Sequence, residues 1–215
     1  MKEEGARTGT MSETKQEERT GSLVVGIAGG SASGKTTFTA ALLRELTEGT
    51  HPLRVEAFSL DKYFYRGAPG GPLFVSPSTG ETLPDNNHPN SADNARLVAD
   101  LDIRRSAPDA PAVLLLDGLM LLHIPEIRER LDLRVFIELD ADIRALRRLL
   151  RDMNGGRGNT EPHWIATYYR ECARVGHAAY VEPSRAHADL IIRGDSDFAR
   201  TAPLLAAVIR DKSRP

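Results

Sequence analysis

Lys35 and Thr36 close the run Gly29-Gly30-Ser31-Ala32-Ser33-Gly34-Lys35-Thr36-Thr37, which fills the pattern G-x-x-x-x-G-K-[ST]. Such a loop wraps backbone N–H groups around phosphate oxygens at a helix N-terminus, where unpaired donors and the helix dipole favour negative charge. Lys35 can reach the β- and γ-phosphates, and the Thr36 hydroxyl can sit on Mg²⁺. The chemistry implied is nucleoside-triphosphate binding, with Gly29 through Thr37 as the cradle and ATP and Mg²⁺ as the expected cofactors. What receives the phosphate must come from other residues.

Two carboxylates end apolar runs. Asp117 follows Val113-Leu114-Leu115-Leu116, as a second strand would deliver an acid beside the phosphate loop to hold Mg²⁺. Asp61 follows Val55–Leu60, where it could take the proton of an acceptor hydroxyl or simply start a turn. Arg144, Arg147, Arg148 and Arg151 share one helical face, with Ile143, Leu146, Leu149, Leu150 and Met153 on the apolar face. A basic stripe is commonly a solvated surface. Here it runs into Asn154-Gly-Gly-Arg-Gly-Asn, a hinge that suits a mobile lid, so Arg151 and Arg157 are the expected cations on the transferring phosphate. Asn87, His88 and His123 are candidates for the acceptor pocket. His163, His177 and His187 have no metal-like grouping, and Trp164, Tyr168 and Tyr169 fall at helical spacing, as core or pocket wall.

The elements that must position these residues follow from hydrophobic patterning. Strands are predicted at 23–28, 54–60, 112–117, 133–139 and 188–192. Helices are predicted near 36–47, 91–103, 125–131, 141–153, 161–177 and 201–211. Ser91 and Thr160 are expected as N-caps, Pro125 and Pro162 in first turns, and Gly176 near a helix end. Alternation of this kind predicts an α/β fold, a mostly five-stranded parallel sheet covered by helices on both faces. The stretch 62–90, with Tyr63, Phe64 and several Gly and Pro residues, breaks the alternation at the carboxyl end of a strand. Open α/β sheets bind ligands there, so it is expected to be an acceptor-side loop without regular structure.

Composition narrows the class. A chain of 215 residues suits one α/β domain, here 22–215, with 1–21 as a disordered polar extension. A formal net charge of −2 argues against generic nucleic-acid binding. The single cysteine, Cys172, offers no internal disulfide, and a reducing compartment fits it. No run approaches the ~20 apolar residues of a membrane span. A cytoplasmic protein acting on a small hydroxyl compound is expected, with neither nucleic acid nor membrane as partner and homo-oligomerisation left open.

Taken in order, these segments resemble the uridine kinase (uridine–cytidine kinase) family, grouped with phosphoribulokinase among P-loop kinases of small metabolites. Ser59-Leu60-Asp61-Lys62-Tyr63-Phe64 is similar to its strand-end aspartate and aromatics, and Asn87-His88-Pro89-Asn90-Ser91-Ala92-Asp93 to its D-H-P-D-x-x-D segment. Asp117-Gly118-Leu119-Met120 resembles E-G-I-L, Asp140 through Asp152 the lid helix, and Tyr180-Val181-Glu182-Pro183-Ser184-Arg185 with Ala188–Ile192 the C-terminal signature. The resemblance implies a three-layer α/β/α P-loop fold with an Arg-bearing lid near 151–162. It makes Asp61 the catalytic base, with Lys35, Arg151 and Arg157 on the phosphates and Thr36 and Asp117 on the metal. Tyr63, Phe64, Asn87, His88, His123 and Tyr168 then stand near the acceptor.

The acceptor side departs from the family. Only eleven residues, 102–112, separate the helix after the His-Pro segment from the Asp117 strand, so the family's base-gripping hairpin is absent there. Asn87 replaces an aspartate, and Gly155-Gly156-Arg157-Gly158 replaces E-R-G-R. The expected activity is ATP-dependent phosphorylation of a nucleoside hydroxyl, with nicotinamide riboside, pantothenate, glycerate or a sugar phosphate as alternative acceptors. A regulatory P-loop switch is the reading from another class, disfavoured by the missing N-K-x-D motif.

Overall fold

The computed structural model describes residues 21–48, 51–156 and 158–214. The expected polar extension therefore lies almost wholly outside the described residues, as does Arg157.

Five strands form one parallel sheet: β1 (Leu23–Gly29), β2 (Val55–Ser59), β5 (Val113–Asp117), β6 (Leu133–Glu138) and β7 (Leu190–Arg193). Strands β3 (Leu73–Val75) and β4 (Thr82–Pro84) pair separately as an antiparallel hairpin. The sheet order is β2-β5-β1-β6-β7. Every residue of β1 and β5 is buried, which fits their uninterrupted apolar sequences, because an inner parallel strand is covered on both faces. Successive side chains point to opposite faces, so two cores form. Val24, Ala28, Leu114, Leu116 and Phe136 pack on one side against Leu97 and Leu101 of α2 (Asn94–Arg105) and Ile127 of α3 (Pro125–Arg128). Leu23, Val25, Ile27, Leu115 and Val135 pack on the other against α1 (Lys35–Glu48) and α8 (Phe198–Lys212).

Between β6 and β7 the chain makes α4 (Ala141–Met153) and α5 (Pro162–Tyr168). Helical backbone then continues through wider turns and the short α6 (Arg174–Gly176) and α7 (Glu182–Ser184). The predicted three-layer α/β/α fold is thus observed, with differences in detail. Asp93, not Ser91, caps α2 by accepting from the Arg96 N–H, and Glu161, not Thr160, caps α5 by accepting from the His163 and Trp164 N–H groups. Gly176 lies inside a helical stretch rather than at its end. Its bare Cα lets the helix close on the backbone of Asn87, where a Cβ would overlap. The 62–90 segment, expected without regular structure, contains the β3–β4 hairpin and two single helical turns, Leu60–Tyr63 and Pro89–Ser91.

The largest difference is in α4. Its apolar residues Leu146 and Leu150 are about 58% and 62% exposed, and Ile143 and Met153 are exposed too. Part of the charged face turns inward instead: Arg144 is only 5% exposed and Asp152 3%, and Arg148 is largely covered, while Arg147 stays exposed. An amphipathic pattern fixes which residues share a face but not which face is covered. Here Arg144, Arg148 and Asp152 are the covered residues.

Candidate active site

Strand β5 brings the key acids together, because it pairs with both β1 and β2. Asp117 stands in register with Ile27 on one side and Ser59 on the other. The phosphate loop leaves β1 two residues beyond Ile27, and Asp61 lies in the helical turn two residues beyond Ser59. A cleft of about 720 Å³ opens over these strand ends, lined by Lys35, Thr36, Thr37, Asp61 and Asp117 among others.

The loop is shaped for an anion. Gly29 and Gly34 hold positive φ of 140° and 105°, and Ala32 holds 62°. These left-handed turns curl the backbone so that its N–H groups converge with the first turn of α1, whose leading donors have no partner within the helix. The Ser33 N–H donates to the Gly30 carbonyl at 3.1 Å, and the Lys35 ammonium does so at 2.8 Å, both within the loop. The Ser33 hydroxyl is buried with no hydrogen-bond partner. A cradle of donors with an orphaned hydroxyl fits a polyphosphate.

The donor set also fits Mg²⁺. Thr36 and Asp117 offer a hydroxyl and a carboxylate, hard oxygen ligands, with Asp117 only 8% exposed. Among the described residues no cluster of three or more His, Cys, Asp or Glu could hold a metal. Mg²⁺ characteristically takes one or two carboxylates and completes its shell from phosphates and water.

Helix α4 closes one wall with arginines. Arg147, Arg148 and Arg151 all line the cleft. Arg147 donates to the Gly194 carbonyl at 3.0 Å, and Arg148 reaches the Ser31 hydroxyl at 3.5 Å. Asp152 pairs with Arg148 at 3.4 Å and with Arg151 at 2.8 Å. Burial pulls the Arg148 guanidinium below the usual arginine range, and Asp152 opposes that pull. One buried acid serves two cations, so positive charge is left over for an anionic ligand.

A second wall comes from the residues around the hairpin and from α5. Phe64, Pro84, Asn86, Asn87, Trp164 and Tyr168 line the cleft. The Tyr168 hydroxyl donates to the Pro84 carbonyl at 2.8 Å and accepts from the Asn86 N–H at 3.3 Å. Its ring stacks on Trp164 with centroids 5.2 Å apart and carries the Arg148 guanidinium 5.4 Å from its centroid. Ser76 after the hairpin's first strand donates to Glu171 at 2.6 Å, which helps to hold the Glu171 carboxyl down at about 2.

Three residues expected near the acceptor are placed elsewhere. Tyr63 turns into the core and donates to Asp100 at 2.9 Å, and burial first, then Asp100, pushes its phenol up to about 12. His88 caps the 89–91 turn by accepting the Asn90 N–H at 3.1 Å. His123 packs edge-on against Tyr180, 5.2 Å away, and burial lowers its pKa. Neither His88 nor His123 lines the cleft. Asn87 does, but its amide donates to the Cys172 sulfur at 3.3 Å, so it builds the wall rather than facing a ligand. Sequence patterning named Trp164 as core or pocket wall and placed Arg147 and Arg148 on the basic stripe without a role, but did not single out Asp152, Asn86 or the Gly194–Ser196 turn. For the two arginines the signal was present, since they lie one turn before Arg151 on the same face.

The profile of the phosphoribulokinase/uridine kinase family matches residues 84–198. A uridine kinase of Deinococcus deserti is 34% identical over 209 residues, covering 87% of this chain and 95% of its own.

The chain belongs to the phosphoribulokinase/uridine kinase family.

A uridine kinase of Staphylococcus epidermidis is 32% identical over 192 residues, covering 79% and 86%. Solved structures share the fold at lower identity. A candidate uridine kinase from Bacillus stearothermophilus superposes with a TM-score of 0.55 at 16% identity, covering 82% of this chain and 91% of that one. Shikimate kinase from Acinetobacter baumannii gives 0.52 at 16%, covering 89% and 94%. No helix among the described residues is long and apolar enough to cross a membrane, and family members of this kind are kinases of small molecules.

Proposed function

We propose that this chain transfers the γ-phosphate of ATP to a hydroxyl group of a nucleoside. The observation that carries the reading is the convergence of Asp61, Lys35, Thr36 and Asp117 in one cleft. Relatives named uridine kinase over most of the chain support a nucleoside as acceptor.

The sheet order supports a reading of the two ends. Asp61 and Phe64 follow edge strand β2, while Gly194, Asp195, Ser196 and Phe198 follow the opposite edge strand β7. The phosphate loop lies between them on β1. ATP laid across the strand ends would therefore place its base toward β7 and its γ-phosphate toward Asp61. Thr36 and Asp117 would hold Mg²⁺, which neutralises phosphate charge when bound. Asp61 accepts the proton of the acceptor hydroxyl as that oxygen bonds to phosphorus, and the bond from phosphorus to ADP breaks. Lys35, Arg148 and Arg151 stabilise the charge spread over the equatorial oxygens.

The test is ADP release from ATP with uridine, cytidine, nicotinamide riboside, pantothenate and glycerate offered separately. Turnover confined to ribosides is the expected result. Turnover with only an acyclic alcohol, or hydrolysis indifferent to every acceptor, would overturn it.

A further inference from the structure

The family's base-gripping hairpin is missing between α2 and β5, so this chain needs another way to hold the ring of an acceptor. The acceptor end supplies aromatic surface in its place. Trp164 and Tyr168 stack with planes 16° apart, and both line the cleft, as does Phe64. Tyr168 is fixed from several sides: its hydroxyl by Pro84 and Asn86, its ring by Arg148 and by the edge of Phe74 at 5.5 Å. Trp164 is therefore a ring on a rigid support, held on the first turn of α5 by the Glu161 cap.

Hydrogen-bonding groups that could read a base are few. Reading requires donors and acceptors left available to pair with the ligand, and a site built that way rejects the wrong partner by orders of magnitude. Both hydrogen bonds of the Tyr168 hydroxyl are made within the protein, and the Asn87 amide is turned to Cys172. Asp61 serves the hydroxyl being phosphorylated. Among the described residues lining this end, the Asn86 side chain and the indole N–H of Trp164 are the side-chain groups left to meet a base edge. Stacking on an aromatic face, by contrast, is indifferent to base identity, because every base has a π-face.

We infer that the acceptor's ring rests on Trp164, held by stacking rather than read by hydrogen bonds, so that ribosides of different bases are phosphorylated with similar efficiency. This deepens the nucleoside-kinase reading and rests on it.

Trp164 is the sole tryptophan of the chain, so its emission reports the contact directly. Uridine, cytidine, inosine and nicotinamide riboside are each titrated into the full chain with absorbance correction. In parallel, kcat/KM is measured for each with ATP. The expected result is quenching by all four, with kcat/KM values within about tenfold of one another. Trp164→Ala should raise KM for every riboside by about tenfold, more than it lowers kcat, and Trp164→Phe should recover most of that loss. Preference for one base beyond that range, unchanged emission on saturation with a turned-over riboside, or a Trp164→Ala variant with unchanged KM would each overturn the inference. Should Trp164→Ala fail to fold, the emission and the base panel on the unaltered chain still decide it. If no riboside is turned over at all, the nucleoside reading itself falls; riboside turnover with a silent Trp164 removes only the stacking.

Discussion

At the scale of single residues, the proposed transfer gives Asp61 and Lys35 separable tasks although both line one cleft. A general base contributes to the transition state, whereas a phosphate-loop lysine contributes to the ground state as well. Asp61→Asn should thus lower kcat by about 100-fold or more while leaving ATP affinity within about twofold. Near-normal turnover in that variant would remove Asp61 as base. Lys35→Ala should weaken ATP binding and turnover together, checked by calorimetric titration beside steady-state kinetics. Asp61 was legible in the sequence because it follows an apolar run that must be a strand, and Lys35 because it closes the glycine-rich G-x-x-x-x-G-K-[ST] loop. Tyr63, His88 and His123 were misread for the converse reason. An aromatic or histidine beside a catalytic residue can turn either way, and only the packing of Asp100, Asn90 and Tyr180 decides it.

At the scale of elements, the informative case is α4. Its bounds, 141–153, were legible from periodicity alone, yet its orientation was not. The helix turns Arg148 inward because Asp152, the phosphate loop and Tyr168 give it partners, which an apolar stripe on the same side could not use. Asp152 is the keystone of that face. Asp152→Asn removes the counter-charge of Arg148 and Arg151, and taking one member from a buried ion pair costs about 3–5 kcal/mol. Arg151 is partly exposed, so the lower end applies, and a thermal melt should show a fall of several degrees. An unchanged melting temperature would mean that solvent already screens the pair. A second element-level constraint sits after β7. Gly194 passes so close to the Ser33 carbonyl that a Cβ would overlap it, and its own carbonyl accepts from Arg147. Gly194→Ala should therefore push the phosphate loop out of shape and raise KM for ATP more than KM for the acceptor. Equal effects on both would argue that the loop is not what moves.

At the scale of the whole molecule, the parallel sheet and its cleft follow from strand–helix alternation, and the order β2-β5-β1-β6-β7 places Asp61 and the Gly194–Ser196 turn at opposite edges. The acceptor wall did not follow, because it joins Pro84 and Asn86 to Tyr168, more than 80 residues away, through single hydrogen bonds. Long-range closure of that sort has no local pattern. The same is true of the underside of the phosphate loop, where His177 packs beside Gly30 and Arg144 and pairs with Glu182 at 3.3 Å. Burial first, then the Arg144 charge and Lys35, lower the His177 pKa, and Glu182 only partly offsets them. His123 is lowered as well, again chiefly by burial, with Arg128, His187 and His88 adding to it and the Tyr180 carbonyl opposing. Both histidines are thus held neutral in the folded chain below their ordinary 6.5, while the unfolded chain takes up protons there. Unfolding then binds protons, so the stability is full above about pH 6.5 and declines as pH falls below it. The slope is at most about 1.4 kcal/mol per pH unit for each histidine. Melting temperature should accordingly be flat between pH 8 and 7 and drop by several degrees on going to pH 5.5. His177→Asn and His123→Asn should each flatten that drop, and a drop that persists in full in both variants would assign it to the carboxylates instead.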